Sequence, residues 1–121
     1  MISESEYVVM DILWRHSPAT SEDIIAEATK SQDWGASTVK TLINRLLKKD
    51  VIAAEKDGRR YLYRPLVERT AYVGEKSADL VDRLFGGRVA PLVTHFSERQ
   101  KLSADDIADL KRLIAELDDD Q

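Results

Sequence analysis

Apolar positions along the chain fall into periodic blocks separated by short polar breaks. The first block, Tyr7 to Trp14, is apolar almost without interruption, Asp11 being the exception. A helix apolar nearly all round must be covered on more than one side, so this segment is expected to be a central packing element. It is opened by Ser3-Glu4-Ser5-Glu6, where Ser3 can cap the backbone and Glu6 can reach back, the spacing of a capping box. After the break Ser17-Pro18-Ala19-Thr20, with Thr20 or Ser21 as cap, Ile24, Ile25 and Ala28 mark one stripe of a second helix over about 21–30. Residues 31–36, with Trp34 and Gly35, read as a connector. A third helix runs from Ser37 to about Lys49, with Val39, Leu42, Ile43, Leu46 and Leu47 at the three-to-four spacing of an amphipathic helix.

The period then changes. Val51 to Lys56 and Arg59 to Arg64 are two short β-prone runs flanking Asp57-Gly58, which predicts a hairpin with a type I′ turn, and Pro65 closes its second strand. Three helices followed by a hairpin is the winged-helix order. The remainder is helical: a long helix over about 66–85 stopped by Gly86-Gly87, and a shorter one over about 88–97 carrying Val89, Leu92, Val93 and Phe96. A last helix is capped by Ser103, with Asp105 and Asp106 in its first turn. Its Ile107, Leu110, Ile114 and Leu117 alternate by three and four, a seam too short for an independent coiled coil. The expected architecture is mostly α with a small β-hairpin wing: a winged helix-turn-helix domain over 1–65 and a helical dimerisation domain over 66–121. Each lobe alone is short of buried surface unless a partner covers it.

Charge sharpens the functional reading. The net charge of −4 looks unsuited to nucleic acid, but residues 35–64 carry eight basic and three acidic side chains, against two and seven over 1–34 and eight and twelve over 65–121. Attraction to phosphates follows the local field, so the basic middle segment matters more than the total. Apolar residues at 43% and charged residues at 33% describe a globular chain, not a disordered one. No apolar run approaches the length of a membrane span and no signal-peptide pattern opens the chain, so a cytoplasmic location is expected. The sequence has no cysteine, which removes disulfides, thiolate metal sites and cysteine nucleophiles.

On the third helix, Ser37, Lys40, Thr41, Asn44, Arg45 and Lys48 fall on the face opposite the apolar stripe. They are donors and acceptors suited to base edges and phosphates, and no acidic residue lies between Gly35 and Lys49 to make this a salt-bridged surface. Ser37, Thr38 and Thr41 sit in the first turns, where a recognition helix touches bases, while Lys48 and Lys49 would meet the backbone. Lys56, Arg59 and Arg60 flank the hairpin turn, where they would meet phosphates or the minor groove; charge at such an edge also discourages aggregation.

The motifs resemble the penicillinase-repressor family of bacterial regulators, the BlaI/MecI/CopY group. The resemblance is carried by Val9-Met10-Asp11-Ile12-Leu13-Trp14, by Ser37-Thr38-Val39-Lys40-Thr41 continuing to Leu46, by Asp57-Gly58-Arg59-Arg60-Tyr61 continuing to Leu66, and by Leu84-Phe85-Gly86-Gly87. Leu92-Val93-Thr94-His95-Phe96 and Lys101-Leu102-Ser103 extend it over essentially the whole chain. It implies a homodimeric repressor on double-stranded DNA, bound to an inverted repeat of TACA/TGTA-type half-sites. In the β-lactam branch, tied to antibiotic resistance, a membrane sensor protease relieves repression by cutting an Asn–Phe bond. By position that bond is His95–Phe96 here, with His in place of Asn. The copper branch binds metal through a C-terminal cysteine cluster, and this sequence has no cysteine.

Other chemistry is thin. His16 and His95 are the only histidines and neither belongs to a ligand cluster; Asp118 to Asp120 read as a solvated end. No phosphate loop or triad spacing is present, so no catalytic residue, metal or small-molecule cofactor is expected, and the chain is not read as an enzyme. A winged-helix adaptor that binds protein is the other class considered. It would expose an apolar or mixed-charge patch, whereas the third helix is polar and basic. For pairing of subunits, Leu92, Val93 and Phe96 offer one stripe and Ile107, Leu110, Ile114 and Leu117 another, which two copies would bury about a two-fold axis.

Overall fold

The computed structural model describes residues 2–99 and 101–119. Helices α1 (Glu4–Arg15), α2 (Ser21–Ser31) and α3 (Ala36–Lys48) precede strands β1 (Ile52–Asp57) and β2 (Arg60–Pro65); α4 (Arg69–Phe85), α5 (Val89–Glu98) and α6 (Ala104–Asp119) follow. The fold is mostly helical with one antiparallel hairpin. Local chemistry sets the helix starts. Ser3 Oγ accepts from the Glu6 N–H at 3.1 Å and Glu6 Oε1 accepts from the Ser3 N–H at 2.8 Å. Thr20 and Asp23 make the same reciprocal pair at the start of α2, and Ser103 and Asp106 at the start of α6. Each box satisfies two N–H groups that a helix start leaves open.

The chain divides into two compact units, residues 1–74 and 75–121. In the first, α1 is central: its Val9, Met10, Ile12 and Leu13 are buried with Ile24 and Ala28 of α2 and Val39, Leu42, Ile43 and Leu46 of α3. Ile52 closes this core from β1, and each such Leu or Ile contributes on the order of 1.5–3 kcal/mol.

The hairpin corrects the expected turn. Asp57 pairs with Arg60, so the two loop residues are Gly58 and Arg59 rather than Asp57 and Gly58. Gly58 has φ +66° while Arg59 stays at negative φ. Positive φ at the first loop residue alone belongs to a type II′ turn, which needs glycine there and tolerates arginine next. Ala19 adds a rung to β2, its N–H donating to the Tyr63 carbonyl at 3.0 Å and its carbonyl accepting from the Tyr63 N–H at 2.7 Å. The wing is thereby fastened to the residue before the α2 cap.

The fourth helix begins three residues later than its pattern predicts. The Leu66 N–H donates to the Val51 carbonyl at 2.9 Å, and the Val67 carbonyl is taken by the Trp14 indole, so 66–68 are committed to the first unit before α4 starts. That unit accordingly reaches beyond Pro65, and Tyr72 packs against Tyr7 and Trp14.

In the second unit Gly86 and Gly87, at φ +61° and +81°, end α4, the Gly87 N–H donating to the Val81 carbonyl at 3.1 Å. None of its described residues is buried. Among the described residues no helix is long and apolar enough to cross a membrane.

Candidate nucleic-acid interface

The third helix sorts its residues cleanly. Val39, Leu42, Ile43 and Leu46 face the core, while Ser37, Thr38, Lys40, Thr41, Asn44, Arg45 and Lys48 are all exposed. Thr41 Oγ1 donates to the Ser37 carbonyl at 2.9 Å, so its hydroxyl presents lone pairs outward as an acceptor.

The turn of α3 into the wing is a Schellman motif. The Val51 N–H reaches the Leu46 carbonyl at 3.3 Å and the Asp50 N–H the Leu47 carbonyl at 3.1 Å. Asp50 holds φ +59° at the position glycine usually takes; its short polar side chain tolerates that conformation better than most. The motif fixes where Lys48 and Lys49 lie relative to β1.

On the wing Lys56, Arg59 and Arg60 are exposed. Arg60 is not free: its Nη2 lies 3.2 Å and its Nε 3.4 Å from Asp57 Oδ2. It also acts on Asp23, whose carboxyl is held below its usual range first by hydrogen bonds from the Thr20 backbone and side chain and then by the Arg60 charge. Two clefts join these parts. One of about 300 Å³ is lined by Thr20, Ser21, Glu22, Arg59, Arg60, Tyr61 and Tyr63. The other, about 230 Å³, is lined by Ser21, Lys40, Ile43, Asn44 and Tyr63. Ser21 and Tyr63 thus link the exposed face of α3 to the wing. Ser21, Tyr61 and Tyr63 are not among the DNA-contact residues that the sequence predicts. Alternation along β2 does place Tyr61 and Tyr63 on one face, but the Ala19 rung that brings α2 beside them has no local signal.

In the second unit Val93, Ile107, Leu110 and Ile114 line one groove of about 350 Å³ between α5 and α6. Leu92 is half-buried, and Phe96 and Leu117 are exposed at 41% and 54%. The His95–Phe96 bond lies inside α5, with the His95 carbonyl accepting from the Arg99 N–H at 3.2 Å and the Phe96 carbonyl from the Lys101 N–H at 2.9 Å. Among the described residues no group of three or more His, Cys, Asp or Glu side chains could hold a metal ion.

The first unit is therefore a winged-helix domain with a polar, basic third helix. A sequence profile of the penicillinase repressor family matches residues 2–116, and the chain belongs to that family, whose members are transcriptional repressors rather than enzymes. It is 31% identical over 115 residues to a penicillinase repressor of Bacillus licheniformis, covering 95% of this chain and 90% of that one. It is 34% identical over 113 residues to the methicillin resistance regulatory protein MecI of Mammaliicoccus sciuri, covering 93% and 92%. Among solved structures, the monomeric form of B. licheniformis BlaI in complex with the blaP half-operator aligns at TM-score 0.54 and 33% identity, over 60% of this chain and 88% of that one.

Proposed function

We propose that the chain is a homodimeric transcriptional repressor that binds an inverted-repeat operator of TACA/TGTA-type half-sites. The observation that carries this is the exposed face of α3, with four core residues inward and seven polar or basic residues outward. Ser37, Thr38, Thr41 and Asn44 would meet base edges in the major groove, and Lys40, Arg45 and Lys48 the phosphates. Lys56, Arg59 and Arg60 would extend the contact along the backbone or into the minor groove. The relative solved on a half-operator supports this use of the domain.

The second unit would join two reading heads. None of the described residues of its α5 and α6 stripes is buried, and a second copy would supply the missing cover. Relief of repression by a membrane sensor protease would follow from a cut at His95–Phe96, which detaches α6. Since that bond is helical, the last turn of α5 must open before it is cut. Such a protein would work in the cytoplasm. A salt-dependent binding titration on the duplex upstream of its own gene tests the core of the proposal: binding independent of salt and sequence would remove it.

A further inference from the structure

Among the described residues Glu6 is the one buried charged side chain, 1% exposed, and it sits in the first turn of the central helix of the reading unit. Its Oε1 accepts from the Ser3 N–H at 2.8 Å and from Lys49 Nζ at 2.6 Å. Its Oε2 is buried without a hydrogen-bond partner among the described residues. Lys49 is the C-cap of α3. By sequence it belongs with Lys48 as a second contact to the DNA backbone, yet its ammonium turns to α1.

A buried carboxylate is costly unless its partners are well placed, so this pair needs α1 and the end of α3 to keep one separation. The Schellman motif fixes the backbone at that same end through Leu46, Leu47, Asp50 and Val51. Two independent devices thus converge where the recognition helix turns into the wing. We infer that Glu6 is a positioning residue for DNA reading: it acts through Lys49 to hold the C-terminal end of α3, and so Lys49 is withdrawn from the phosphate-binding set. This rests on α3 being the helix that reads DNA.

The test uses the full chain and two duplexes: the tightest binder selected from a random library, and unselected DNA of equal length. Titrations run over a salt series, with circular dichroism confirming that every variant is folded. Lys49→Met should weaken the selected duplex by about three- to tenfold, leave unselected DNA unchanged, and leave the salt slope unchanged. Lys49→Arg should recover most of the loss, and Glu6→Gln, where it folds, should reproduce it. A slope lower by about one unit in Lys49→Met, with both duplexes weakened alike, would make Lys49 an ordinary phosphate contact and overturn the inference. Unchanged affinity would overturn it too, leaving the pair a matter of stability alone. Lys48→Ala is the separate control on the DNA reading itself: it should lower the slope, and if it does not, α3 does not lie on DNA.

Discussion

The indole Nε1 of Trp14 donates to the carbonyl of Val67 at 2.8 Å, fastening the residues before α4 to the central helix of the reading unit. The Tyr72 ring lies 5.6 Å from Trp14 and 5.8 Å from Tyr7, so the first turn of α4 is held by a three-ring cluster. Phenylalanine at position 14 would keep ring packing and lose the donor. Trp14→Phe should therefore lower stability by about 1 kcal/mol, with the urea midpoint reduced and its slope unchanged. Equal midpoints would mean that water replaces the indole at no cost.

Thr41 carries a prediction about base identity. Because its hydroxyl proton is directed to the Ser37 carbonyl, on the proposed reading it would meet DNA as an acceptor and should favour a base edge that donates, adenine N6 or cytosine N4. Thr41→Val keeps the shape and removes the acceptor. Selection from a randomised half-site should show preference relaxed at one position, with a loss of about 1–3 kcal/mol on the original site. Preference unchanged at every position would exclude Thr41 from base reading.

The wing arginines should differ. Arg60 shares its charge with Asp57 at 3.2 Å, whereas Arg59 occupies the loop itself. Arg59→Ala should weaken binding more than Arg60→Ala, as read by fluorescence anisotropy, with circular dichroism unchanged for both. The reverse order would show that Arg60 leaves Asp57 for a phosphate when DNA binds.

These contrasts mark what the sequence could and could not convey. Helix caps at Ser3 and Ser103 were legible because a capping box is written within four residues, while the second cap, open between Thr20 and Ser21 in the sequence, is Thr20. The inward stripe of α3 was legible because periodicity alone decides it. The turn was misplaced by one residue because strand register depends on which cross-strand pairs close, and Asp57 can either enter the loop or face Arg60. Contacts between distant residues left no local trace: Trp14 with Val67, Ala19 with Tyr63, and Lys49 with Glu6. In each, one partner looks like something else in sequence, a core aromatic, a loop alanine or a DNA-facing lysine.

Acid should destabilise the first unit in part through Glu6. Burial pushes its carboxyl up, but hydrogen bonds from Lys49 and Ser3, with the Lys49 charge, outweigh this and hold it below its ordinary 4.5. A carboxylate depressed on folding adds stability that is complete above its unfolded value and is lost as pH falls through the folded one. Unfolding free energy should therefore drop as pH falls below 4.5, and Glu6→Gln should flatten that part of the profile while lowering stability at neutral pH. Parallel profiles for the two proteins would show that other carboxylates dominate.

On the proposed reading, pairing of the subunits is the step on which palindrome binding would depend. Ile114 and Leu117 stand more than half exposed at 57% and 54%, and Leu110 and Ile114 line the α5–α6 groove. A carboxylate at the exposed position 114 stays solvated in a monomer but would be desolvated without a partner in a dimer, and one at the half-buried position 110 adds to that cost, so the pair penalises association. Leu110→Asp combined with Ile114→Asp should give a monomer in sedimentation velocity. Contact with a single half-site should persist, since α3 and the wing lie outside the second unit. Affinity for the full inverted repeat should fall toward that of one half-site, because two linked heads gain an effective concentration in the millimolar range that separate heads lack. If the double variant remains dimeric, or monomers bind the palindrome at full strength, the α5–α6 groove is not what brings two recognition helices onto one operator.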